Sequence, residues 1–164
     1  AYVGARSSTH SDLIRALVLS NTAAKSGTKA IWDERVRAVR EGGVAAVADG
    51  VLARWFAKAR RESGIGQLWR QRLLSCPADG YAGVAAAIGG ADFLTPTSGL
   101  RLPALCIAGS DAGSLPPDLV RELADLIPGA GFELTRGAGH LPPVDLPERF
   151  AATLTGFLRG IGHT

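Results

Sequence analysis

Methionine is absent from this chain of 164 residues. With no initiating Met, the chain is expected to begin partway through a longer gene product. Cysteine is scarce: only Cys76 and Cys106 occur, with neither a CxxC partner nor metal-ligand spacing. A disulfide framework and a thiolate metal site are thereby excluded, and buried or inert thiols in a reducing compartment are expected. No apolar run reaches the roughly 18–20 residues needed to span a bilayer. No signal peptide opens the chain, so a cytoplasmic location without a membrane partner is expected. Aromatics make up 6% and charged residues 20%, with a net charge of +3. The charges are scattered, and no run of Lys and Arg interleaves with aromatics, which argues against a nucleic-acid face. Internal repeats and low-complexity segments are also missing.

What remains is a chain 46% apolar, the size of one ordinary domain and rich enough to pack a core. Its centre of interest is Phe132-Glu133-Leu134-Thr135 running into Arg136-Gly137-Ala138-Gly139-His140. A short apolar strand meets two glycines, which permit a sharp turn and keep bulk away from His140. Pro142 and Pro143 stiffen the exit. An imidazole at the end of a strand stands where ligands of open α/β sheets bind, and histidine is the side chain best suited to proton transfer near neutral pH. The plain alternative is a loop histidine that bonds to backbone.

Along the chain, residues 1–10 have a weak helical pattern and Ser11-Asp12 a break. The apolar run Arg15 to Asn21 reads as a buried parallel strand. Residues 22–28 read as a loop. Ile31 to Arg40 and Val44 to Phe56 carry helical periodicity, separated by Gly42-Gly43. Residues 58–66 read as a basic loop, Leu68 to Leu74 and Tyr81 to Ile88 as short helices, and Gly89 to Gly99 as a linker. Then strand and helix alternate. Leu102 to Ala108 is a strand. Pro116-Pro117 opens a helix whose buried face is Leu119, Val120, Leu123, Leu126 and Ile127. Phe132 to Thr135 is the last strand. Phe150, Leu154, Phe157, Leu158 and Ile161 face one side of the last helix. Short connections of this kind imply parallel strands.

An acid-bearing loop after one strand and a histidine loop after the next form the back half of a hydrolytic triad. Leu102 to Gly109, Leu115-Pro116-Pro117, Gly137 to His140 and Leu146-Pro147-Glu148 resemble the α/β-hydrolases. Leu13 to Lys25, with Trp32, Arg35, Val39, Gly42-Gly43 and Arg54-Trp55-Phe56, resembles the 3-oxoadipate enol-lactonases among them. The resemblance implies the C-terminal part of an α/β-hydrolase: a parallel sheet flanked by helices, with an inserted helical cap. Its expected divisions are core at 1–27, cap at 28–99, and core again at 100–164.

It further implies hydrolysis of an enol-lactone in aromatic catabolism, by the β-ketoadipate pathway, with His140 activating a serine and then water. It implies no metal and no organic cofactor. The substrate would be a small anionic lactone or ester, and Arg54 and Trp55 in the cap would bind it. Arg54 would pair with its carboxylate. For Trp55 the competing reading is a place on the apolar face of its own helix, and for Arg54 a place in solvent.

Two departures from the family stand out. The nucleophile elbow, Gly-x-Ser-x-Gly-Gly, occurs nowhere, and Ser7 and Ser8 fall after its expected place. The nucleophile-bearing half is thus expected on a missing N-terminal part. An unpaired central strand is an aggregation hazard, so complementation by that half, or a homo-oligomer, is expected. The second departure is Ala112, which stands where the family places its acid. The carboxylate is one residue earlier, at Asp111. A shifted loop would aim Asp111 at His140; otherwise Asp111 is a turn residue bonded to its own loop. Asp92 and Asp118 are weaker candidates. The alternatives to a lactonase are another capped ester, lactone or C–C bond hydrolase, or a non-catalytic binding protein of this fold.

Overall fold

The computed structural model describes residues 14–163. Residues 1–10, Ser11-Asp12, Ser7 and Ser8 lie outside them. The described chain packs as two compact units: one holds the residues up to Ala24 and those from Asp92 onward, the other Lys25–Ala91.

The first unit is built on three parallel strands, β1 (Leu17–Ser20), β2 (Ala104–Gly109) and β3 (Gly131–Thr135), in the order β1-β2-β3. Leu17 aligns with Ala104, and Leu105 with Gly131. Central β2 has partners on both edges, and all six of its residues are buried. That is why Ala-Leu-Cys-Ile-Ala-Gly is continuously apolar rather than alternating. One face packs Cys106 and Ala108 against Val120, Leu123 and Ala124. Burial pushes the Cys106 thiol up to about 11, which leaves it inert near neutral pH. Cys76 is exposed.

The helices of this unit include α6 (Leu94–Ser98), α7 (Pro117–Leu126), α8 (Pro142–Asp145) and α9 (Pro147–Gly160). In α7 the buried residues are Val120, Leu123 and Ala124, whereas Leu119 is exposed. Leu119 is one step off the i, i+3, i+4 stripe that Val120 defines, so periodicity rather than hydrophobicity decides. The apolar face of α9 is half-buried along its length. Two segments differ from expectation. Gly89 to Gly99 is not a plain linker, because Leu94–Ser98 winds into α6. The two prolines after His140 start the single turn α8, where a proline N–H is not needed.

The second unit is helical: α1 (Lys29–Gly42), α2 (Ala45–Trp55), α3 (Lys58–Arg61), α4 (Gly64–Leu74) and α5 (Ala78–Gly90). Thr28 caps α1 by accepting the Ile31 N–H, the usual role of threonine before a first turn. Its core holds Val39, Ala48, Val51, Leu52, Phe56, Leu73, Ala82 and Ala85. The basic stretch 58–66, expected to be a loop, forms α3 and the start of α4. Lys and Arg are good helix formers, and Lys58, Arg60 and Arg61 do not prevent a turn. Among the described residues, no helix is long and apolar enough to cross a membrane.

Candidate active site

His140 stands just past the C-terminal end of β3, beside the end of β2. The two ends are in intimate contact. The Ser110 N–H donates to Thr135 O at 3.1 Å and the Asp111 N–H to Ala138 O at 2.9 Å. A Cβ on Gly109 would lie 2.0 Å from Gly139 O and 2.5 Å from Ala138 O. Only glycine permits that approach. Gly137 turns the loop with a positive φ of 79°.

Three side chains then fix the loop. Ser110 Oγ accepts the Gly137 N–H at 2.8 Å. Asp145 Oδ2 accepts the Gly139 N–H at 2.7 Å. Asn21, at the end of β1, donates to His140 O at 3.0 Å and Gly139 O at 3.3 Å. None of these three was singled out from sequence as part of the site. Asn21 gave a signal, as a polar residue ending an apolar strand; Ser110 and Asp145 gave none.

The His140 ring is half-buried, and burial lowers its pKa below the ordinary histidine value. The neutral imidazole, the form that accepts protons, is therefore favoured. Two buried side-chain polar atoms among the described residues have no hydrogen-bond partner: His140 Nδ1 and Thr135 Oγ1. Both belong to the end of β3 and its loop, and orphan polar atoms of this kind call for a functional explanation.

Asp111 does not supply that partner. Its exposed carboxylate accepts from the Ser110 hydroxyl at 2.7 Å. The serine passes on the bond it receives from Gly137, so the chain of bonds runs from Gly137 through Ser110 to Asp111. The shifted loop expected from sequence is not what the structure shows, and the turn-residue alternative describes the geometry. Ala112, at the family's acid position, is 6% exposed. Asp92 Oδ1 accepts the Leu94 N–H at the start of α6, and Asp118 lies in the first turn of α7.

Arg54 and Trp55 belong to the helical unit. Trp55 packs edge-on against Phe56 and Trp69, with ring centres 6.4 Å apart in each pair, which is the packing role that helical spacing suggested. Arg54 is half-buried. Burial lowers its pKa first, and the nearby charge of Arg35 lowers it further, while Tyr81 acts the other way. Arg35 itself stacks over Trp32, 4.7 Å from the ring centre. Among the described residues, no group of three or more His, Cys, Asp and Glu side chains gathers as a metal site.

A parallel sheet with a histidine on the loop after its last strand, and a helical segment inserted between strands, defines a class. The chain carries part of the α/β-hydrolase fold. Within that class it resembles the 3-oxoadipate enol-lactonases. It is 30% identical to 3-oxoadipate enol-lactonase 1 of Acinetobacter baylyi over 153 residues, 88% of this chain and 55% of that protein. It is 29% identical to enol-lactonase 2 of the same organism, over 82% of this chain and 51% of that protein. The chain thus spans about half the length of these curated relatives. Among solved structures, the enol-lactonase from Burkholderia xenovorans superposes with a TM-score of 0.89 at 33% identity, covering 95% of this chain and 60% of that one. A thermophilic esterase from Thermogutta terrifontis superposes with a TM-score of 0.86 at 28% identity, covering 99% and 61%. No family model matches the chain.

Proposed function

We propose that these 164 residues supply the histidine base of a hydrolase that opens 3-oxoadipate enol-lactone. The observation that carries the reading is His140: at the end of a parallel strand, tilted toward its neutral form, with a buried Nδ1 lacking a partner. The nucleophile would come from a segment not contained in these residues, because no Gly-x-Ser-x-Gly occurs among them. In the assembled enzyme His140 takes the serine proton as the serine oxygen attacks the lactone carbonyl. The ring C–O bond breaks, His140 returns the proton to the enol oxygen, and the enol becomes the ketone. Water then attacks the acyl-enzyme with its proton going to His140, the acyl–oxygen bond to the serine breaks, and His140 returns the proton to the serine oxygen. Neither a metal nor an organic cofactor takes part in these steps.

Arg54 is the proposed partner of the substrate's free carboxylate, since burial and Arg35 both disfavour its lone charge. Trp55 would offer an apolar wall. Asp111 enters as a residue that shapes the loop through Ser110, not as a group on the imidazole.

The test combines the chain with the matching N-terminal segment of an enol-lactonase. The lactone is then compared with a simple nitrophenyl ester. The expected result is turnover of the lactone at least about tenfold better than the ester, a difference of about 1.4 kcal/mol in transition-state binding. A preference for the ester would favour the esterase reading, which the Thermogutta relative also supports. Inactivity on both, with the assembly intact, would favour a binding protein, a reading that Ala112 motivates.

A further inference from the structure

We infer that Asn21 is a positioning residue, whose side-chain amide ties the end of β1 to the end of β2 and to the histidine loop that follows β3, and sets the backbone of that loop. The inference rests, for its consequence in turnover, on the reading of His140 as the base. Its structural part stands alone.

The chain contains one asparagine. It is 4% exposed and follows directly on β1. Its backbone N–H donates to Ile107 O at 2.8 Å, extending the β1–β2 ladder by one step. Its φ is then +42°, a region that Asn enters more readily than other side chains. The turn brings the carboxamide over the strand ends. Oδ1 accepts the N–H of Gly109, the last residue of β2, at 3.0 Å. Nδ2 donates to Gly139 O at 3.3 Å and His140 O at 3.0 Å. A carboxamide has one carbonyl oxygen and two N–H donors, and the oxygen and the nitrogen are both engaged with backbone.

No other side chain of this size does the same. Aspartate keeps the Gly109 bond but sets an anion against two carbonyl oxygens. Leucine fills the space and leaves three backbone groups unpaired, each costly when buried. The Asn21 bonds reach the peptide of His140 itself, so they fix the direction in which its Cβ leaves the loop. Gly109 completes the device, because its missing side chain lets the loop lie against β2.

The test uses the 164-residue chain and nuclear magnetic resonance. Asn21 is easily resolved, since the other carboxamides are those of Gln67 and Gln71, both exposed. In the wild type, exchange of the Asn21 carboxamide protons should be at least about tenfold slower than that of Gln67 and Gln71. Asn21→Gly keeps the backbone comfortable and Asn21→Asp keeps the shape. Asn21→Gly should speed exchange of the Gly109 amide about tenfold or more, and both variants should move the His140 titration midpoint toward the ordinary histidine value. Val120→Ala, a core change elsewhere in the same unit, should lower stability and leave that midpoint alone. Asn21 carboxamide exchange as fast as that of the glutamines would overturn the inference, and so would a wild-type midpoint and Gly109 exchange in a folded Asn21→Gly variant. If these responses appear while turnover of the assembled Asn21→Gly enzyme stays at the wild-type level, the staple stands and the reading of His140 as the base fails.

Discussion

The two units hold their parts in place by different means. At the sheet end, directional bonds from Asn21, Ser110 and Asp145 reach backbone groups of the histidine loop. In the helical unit, side-chain contact dominates: the Trp55–Phe56–Trp69 cluster, Arg35 over Trp32, Arg72 over Trp69. Its ion pairs, such as Lys29–Asp33 and Arg70–Asp49, are exposed and contribute little. Directional bonds define an angle; apolar contact defines only a volume. The unit that carries the His140 loop uses the first, and the helical unit uses the second.

The contrast breaks most sharply at glycine. Gly109→Ala forces a Cβ onto the Gly139 carbonyl. Overpacking of this kind costs about 1–3 kcal/mol, and here the clash is with backbone, which cannot rotate away. Urea unfolding should show a lowered midpoint. Gly83→Ala in α5 meets nothing within 4 Å and should gain about 0.5–1 kcal/mol, the ordinary advantage of alanine in a helix. Equal effects at the two sites would erase the distinction drawn between the units.

A smaller effect concerns pH. His140 has its folded pKa lowered by burial. Above the unfolded value of about 6.5, both states are neutral and the group is silent. As pH falls from there toward the folded value, the unfolded state gains a proton that the folded state refuses, so stability declines. His140→Gln should flatten that part of the stability profile. A profile unchanged by the substitution would mean that the ring is not desolvated.

Much of this fold is written in local pattern. The apolar run of β2, the periodic faces of α1 and α2, and Gly-Ala-Gly-His after an apolar strand are all legible within a dozen residues. What sequence conceals is long-range. Asn21 lies 119 positions from His140, and no local pattern distinguishes a strand-ending asparagine in solvent from one that staples two loops. The direction of Asp111 was equally hidden, because it depends on a serine hydroxyl already engaged by Gly137. Helices α3 and α6 were missed because charge density and Pro-Thr-Ser composition look like loop even where single turns form.

The most direct measurement is turnover of 3-oxoadipate enol-lactone by the assembled hydrolase with His140 intact and with His140→Ala. Loss of a triad member leaves only the residual rate that binding and charge stabilisation provide. A fall of at least about 10³-fold in kcat, with the folded structure retained, is the predicted result. Turnover within a few-fold of wild type would contradict the account, because it would leave His140 without a part in the proton transfer.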